Sequence, residues 1–179
     1  MLKNFFAILF FSIFFFKPGM SATTKVIMEC PGLKNFKNWC AGEYIGDNTK
    51  SCMMISTPIS EKGEPKYKSR GEIYATVYHV PNDNTGVIYI TTGYTYKKDT
   101  IVKIKVDKNS DHEFNSLEGD TAFSEEESID KKLISEMKKG NRMKVIGFST
   151  RGTKTTDIYS LVGFSAAYAY ISNLCEVKN

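Results

Sequence analysis

Two histidines, four cysteines, a run of three glutamates and a basic, hydroxyl-rich stretch near the C-terminus are the residues of this 179-residue chain whose types and spacing bear on chemistry. His79 ends an aromatic-rich run beside a turn sequence, and His112 stands between Asp111 and Glu113. Neither has a Cys or Ser in a recognisable nucleophile setting, so a hydrolase built on His79 or His112 lacks its constellation. His112 with Asp111, Glu113 and Asp120 has the ligand types of a weak cation site, but a hydrophilic loop explains the same residues with less. Glu125, Glu126 and Glu127 open a predicted helix, where carboxylates offset exposed amide groups rather than work as an acid–base pair. No catalytic residue, metal ligand or cofactor is expected.

The cysteines read as staples. Cys30, Cys40, Cys52 and Cys175 are separated by nine, eleven and 122 residues, with no CxxC pair to clamp zinc or to run thiol exchange. Four cysteines in an exported chain favour disulfides, for which three connectivities are open. The preferred one pairs Cys30 with Cys40 and Cys52 with Cys175, because the second bond ties the start of the domain to its end. Closing so long a loop stabilises by roughly 4–5 kcal/mol on the chain-entropy argument, and the short loop by under about 3 kcal/mol.

The most informative polar grouping is basic. Arg142, Lys144, Arg151 and Lys154 lie on and around a predicted hairpin, interleaved with Ser149, Thr150, Thr153, Thr155 and Thr156. Such a surface can hold phosphate, sulfate or an anionic glycan through charge-assisted hydrogen bonds. A hairpin edge guarded by Lys and Arg against aggregation accounts for it equally well. Tyr67, Tyr74, Tyr78, Tyr89, Tyr94 and Tyr96 suffice for an aromatic binding face, although packing within sheets is their expected role.

The elements that must position these residues are mainly strands. Ser51 to Thr57, Gly71 to Val80, Gly86 to Tyr94, Ile101 to Val106, Met143 to Ser149 and Thr156 to Val162 are short, rich in Tyr, Ile and Val, and divided by turn clusters. Val102, Ile104 and Val106 alternate with Lys103 and Lys105, the pattern of a half-buried strand. PNDNTG, Pro81 to Gly86, predicts one antiparallel hairpin and TRGTK, around Gly152, a second. One helix is predicted where Ser124 and Glu127 have capping-box spacing, Ile129, Leu133, Ile134 and Met137 share a face, and Gly140 ends the run. Phe164 to Leu174 predicts a short terminal helix that delivers Cys175 to its partner. Many short strands with few helices predict a mainly β fold, an antiparallel β-sandwich with one covering helix.

Residues 1–22 read as an export leader, with Lys3 at the start and an apolar run from Phe5 to Phe16 broken only by Ser12. Twelve residues suit a secretory core of roughly 7–15 and fall short of the roughly 20 that a membrane span needs. Cleavage after Ala22 leaves a single domain, 23–179, and no transmembrane segment. The first cysteine follows Glu29, which disfavours a lipoprotein anchor. Without the leader's Lys3 and Lys17 the chain carries 22 basic against 20 acidic residues, a net charge of +2 that supports no nucleic-acid partner.

KNWC at Trp39, CMMISTP from Cys52, KSRGEIYATV around Arg70-Gly71, TTGYTYKKDT around Gly93-Tyr94, and the block from Met137 to Ala167 together resemble the invasion-associated locus B (IalB) family. The resemblance covers roughly Asn38 to Cys175. It implies an exported immunoglobulin-like β-sandwich of the alphaproteobacterial cell envelope, from a family named for a virulence-associated locus, and brings no enzymatic activity. It also supports the Cys52–Cys175 pairing, while Cys30 and Cys40 depart from the pattern and read as an added staple. The expected function is non-enzymatic, an envelope-surface or host-cell interaction with an unknown envelope or host-surface protein. The alternative is a periplasmic binding module for an anionic ligand or glycan, contacting it through Arg142, Lys144, Arg151 and Lys154.

Overall fold

The computed structural model describes residues 30–46, 49–66, 69–81 and 84–177. The leader, residues 23–29 of the expected domain and Tyr67 lie outside these described residues. The elements run β1 (Lys34–Phe36), β2 (Trp39–Gly46), β3 (Thr49–Ser56), β4 (Ser60–Glu64), β5 (Tyr74–His79), β6 (Thr85–Thr91), β7 (Val102–Val106), β8 (His112–Phe114), β9 (Ser116–Glu118), β10 (Thr121–Phe123), α1 (Glu127–Met137), β11 (Arg142–Phe148), β12 (Lys154–Ser160) and α2 (Phe164–Leu174). Their strands form two antiparallel sheets, ordered β1-β2-β3-β5-β6-β10-β9 and β4-β12-β11-β7-β8.

Side-chain alternation decides which face of each sheet is buried. Ala75, Val77, Ile88, Ile90 and Ala122 of the larger sheet face Val102, Ile104, Val106, Met143, Val145 and Tyr159 of the smaller one, and all are essentially buried. The larger sheet extends beyond the smaller, and α2 packs on its surplus strands β2 and β3. There Trp39 meets Phe164 edge-on at 5.0 Å and donates its indole N–H to the Ser160 carbonyl at 3.0 Å, joining both sheets and α2. Disulfides link Cys30 to Cys40 and Cys52 to Cys175, the latter fastening the end of α2 to β3 across a separation of 123.

α1 buries Leu133, Ile134 and Met137, as its period requires, and also Asp130. The expected capping box does not form. Glu126 is the N-cap, and the Ser124 hydroxyl accepts the Glu126 N–H at 3.0 Å, so the serine stabilises the turn before the helix. Gly140 follows the helix in a tight passage, where a Cβ would press on Val106 and on the Leu161 side chain. β11 and β12 form the expected hairpin, pairing Phe148 with Lys154 and Arg142 with Ser160, with Gly152 at φ +83° in the turn.

Two further sequence expectations need correcting, and two strands went unmarked. His112 and its neighbours form strand β8 rather than a loop, with His112 and Phe114 turned inward. The strand expected from Gly71 begins at Tyr74, because the Gly71 backbone crosses and bonds Gly93 instead of joining the ladder. The polar strand β4 and the strand β2 carry no alternation strong enough to mark them, and β2 owes its burial to the α2 cover.

Candidate anion-binding cleft

At one end of the sandwich, the segment entering β5, the segment leaving β6 and the β11–β12 turn converge. Gly71 donates its N–H to the Gly93 carbonyl at 2.9 Å, and the chains approach so closely that a Cβ on Gly93 would lie 2.6 Å from Gly71 backbone atoms. Gly93 also sits at φ +66°, a region in which side chains are strained. This crossing sends Arg70 inward and leaves Tyr94 beside it.

Arg70 grips Asp157 of β12 with both guanidinium nitrogens, each 2.7 Å from a carboxylate oxygen. Its Nε donates to the Thr92 carbonyl at 2.9 Å, and the guanidinium lies 5.2 Å from the centre of the Tyr94 ring. The side chains of Arg70 and Asp157 are 3% and 0% exposed, so this is a buried, bidentate pair that joins the two sheets. Burial pushes the Asp157 carboxyl up, and Arg70 opposes that shift through its hydrogen bonds and charge. Tyr94 completes the brace by bonding Thr155 at 2.6 Å between hydroxyls.

Above the brace opens a cleft of about 710 Å³ whose lining includes Lys66, Arg70 and Arg151 with the hydroxyl-bearing Ser69, Thr95, Ser149, Thr150, Thr153 and Thr155. Arg70 is neutralised by Asp157. Lys66 and Arg151 are exposed and form no ion pair among the described residues, so they give the mouth a positive excess. Cations surrounded by hydroxyls suit phosphate, sulfate or carboxylate groups.

The four basic residues singled out in the sequence are not brought together. Arg151 lines the cleft, whereas Lys154 is not part of its lining and falls on the outward face of β12, paired in register with Phe148 and with Glu64 of β4. Arg142 lies six residues from Phe148, about 20 Å along the strand. Lys144 is likewise away from the turn, opposite Lys105 of β7. The hairpin's own register foretells this separation, since a turn at TRGTK puts Arg142 at the far end. Lys66 and Arg70 had no such local signal, and Arg70 is 87 residues from its partner.

Both histidines serve the scaffold. The Gly86 N–H donates to His79 Nδ1 at 2.9 Å, which leaves the proton on Nε2, 3.1 Å from the Ser172 hydroxyl. Ser172 in turn donates to the Tyr168 carbonyl at 2.9 Å. The histidine nitrogen facing the serine is therefore the protonated one and cannot act as its base. Burial lowers His79 to about 4, with Lys138 adding to the effect. His112 Nε2 meets Glu136 of α1 at 3.0 Å, while Glu113 and Asp111 face Lys103 and Lys105 at 3.6 and 3.7 Å. The side chains imagined as a cation site thus turn to separate partners. Glu125 accepts from the Ser116 hydroxyl at 2.7 Å, and Glu127 pairs with Lys131 at 2.8 Å one turn along α1.

Three of the stretches that carry the sequence resemblance build this end of the sandwich: Arg70-Gly71, Gly93-Tyr94 and the β11–β12 hairpin. The family model described as invasion associated locus B (IalB) protein matches residues 39–172. The crystal structure of invasion associated protein B from Bartonella henselae superposes with a TM-score of 0.54 at 15% identity, covering 80% of this chain and 97% of that one. That likeness shows a shared fold. No curated protein matches. The matched span takes in every strand but β1, the brace and most of α2, and the chain belongs to the invasion associated locus B family.

Proposed function

We propose that this is an exported, non-enzymatic protein of the cell envelope that works by binding, and that the cleft over the Arg70–Asp157 pair receives an anionic group of an envelope or host-surface partner. The observation that carries the reading is the placement of Lys66 and Arg151, unpaired among the described residues, around a hydroxyl-lined cleft whose floor is braced by a buried ion pair. Two disulfides and membership of the family support export to an oxidising compartment. Among the described residues no helix is long and apolar enough to cross a membrane.

A second reading keeps the same cleft but makes its occupant a free anionic ligand or glycan in the periplasm. The cleft volume of about 710 Å³ favours it, being of the size that holds a small molecule. Protease treatment of intact cells followed by immunodetection separates the two. Digestion in intact cells supports a surface contact, whereas protection until the outer membrane is opened supports the periplasmic module.

A further inference from the structure

The outward face of the seven-stranded sheet carries a second cleft, of about 580 Å³, that shares no lining residue with the first. Period-2 alternation on β5 and β6 turns Tyr74, Tyr78 and Tyr89 outward, while Tyr94 and Tyr96 belong to the braced end of the sandwich. Tyr78 and Tyr89 meet edge-to-face at 5.7 Å, and Tyr89 meets Phe123 of β10 at 5.6 Å, forming an aromatic ladder across three strands. Tyr44, 55% exposed, stands at the rim.

We propose that this face binds a neutral glycan chain, the sugar rings stacking on Tyr78 and Tyr89 while neighbouring hydroxyls and amides take the sugar hydroxyls. Three observations single out that occupant. No lining residue carries a formal charge, and the exposed Asn84 amide, the half-buried Thr121 hydroxyl and the tyrosine hydroxyls supply hydrogen-bonding groups beside the rings, while Ser51, Thr76 and Thr91 are buried beneath them. This complements a ligand that is uncharged yet rich in hydroxyls, and it suits neither an anionic lipid surface nor a charged peptide. β5 and β6 lie inside the sheet, with their backbone groups engaged in ladders to β3, β10 and each other, so an extended peptide cannot add as a strand. Tyr74 and Tyr78 are separated by about 13 Å of strand, room for more than one sugar ring.

The rings are already ordered by their mutual contacts, so stacking costs little further side-chain freedom. Burial pushes the Tyr78 and Tyr89 hydroxyls up, and both stay neutral donors at physiological pH.

The test is affinity electrophoresis of the disulfide-intact protein in native gels cast with a neutral β-glucan, a galactomannan or dextran, with a heparin gel in parallel. Retardation is expected in at least one neutral gel. Tyr78→Ala and Tyr89→Ala should each weaken it roughly five- to tenfold, the loss of one stacked ring, while Tyr78→Phe retains it. Thermal melts accompany each variant. Should either alanine variant fail to fold, Tyr44→Ala at the exposed rim gives the same reading without touching the ladder. No retardation in any neutral gel, retardation unchanged by all three alanine variants, or retardation by heparin alone overturns the proposal. The Lys66 and Arg151 cleft stands or falls separately.

Discussion

His79 and Asp130 titrate in opposite senses over one pH window, and single substitutions should expose what their opposition conceals. His79 is held neutral by burial, falling from an ordinary 6.5 to about 4. Between those values the unfolded chain binds a proton that the folded chain refuses, so stability is lost as pH falls from about 6.5 to about 4. At about 1.4 kcal/mol for each tenfold change, the full effect is roughly 3 kcal/mol. Asp130 of α1 does the reverse. Burial raises its carboxyl from 3.8 to about 7, against the hydrogen bond from the Ile88 backbone and with Glu127 adding to the rise. Its Oδ1 has no hydrogen-bond partner among the described residues. Here the folded chain keeps a proton that the unfolded chain releases, and stability is lost as pH rises from about 4 to about 7, by roughly 4 kcal/mol.

In the wild type the two contributions largely cancel. Asp130→Asn, which keeps the shape and removes the charge, should leave the histidine's dependence uncovered, with stability rising by roughly 3 kcal/mol between pH 4 and 6.5 relative to the wild-type curve. His79→Gln, which can still accept from Gly86 and donate to Ser172, should show the opposite slope. The assay is urea unfolding with both disulfides intact at pH 4.5, 5.5, 6.5 and 7.5, read as the midpoint at constant m-value. Parallel curves for wild type and Asp130→Asn across that window would refute the reasoning.

Other outcomes follow from the same physics. Arg70→Ala leaves the Asp157 carboxylate buried and unpaired, which should cost about 3–5 kcal/mol, while replacing both by apolar residues of similar size costs much less; a double-mutant cycle by chemical denaturation measures the difference. Removing the Cys52–Cys175 bond with paired alanines should cost about 5 kcal/mol, against about 3 kcal/mol for Cys30–Cys40, given separations of 123 and 10. Gly93→Ala should cost more than about 1 kcal/mol, because both the positive φ and the Gly71 crossing resist a Cβ; thermal melts check it. Tyr159→Phe should raise stability by about 1 kcal/mol, since its fully buried hydroxyl has no partner among the described residues.

Local periodicity made much of the fold legible. Val102, Ile104 and Val106 alternate cleanly, Leu133, Ile134 and Met137 repeat at helical spacing, and the TRGTK turn fixes the β11–β12 register. Polar β4 escaped because an edge strand facing solvent on both sides needs no apolar pattern. The brace escaped because Arg70 and Asp157 meet only through the fold, and a buried arginine looks like any surface arginine in a sequence. The tyrosines pooled together in the sequence divide by strand parity, a signal available once β5 and β6 are placed. The basic cluster shows the converse error: proximity in sequence suggested one surface, although a strand carries Arg142 about 20 Å from the turn that holds Arg151.

The most direct measurement is the salt concentration at which the protein elutes from a heparin resin, compared among wild type, Lys66→Ala with Arg151→Ala, and Arg142→Ala with Lys144→Ala. Each pair removes the same formal charge. If the braced cleft is the anion site, the Lys66/Arg151 variant elutes at distinctly lower salt than wild type, and the Arg142/Lys144 variant stays close to wild type. Equal losses from both pairs would mean that the resin reads overall charge, and no loss from the first pair would mean that the cleft does not bind anions.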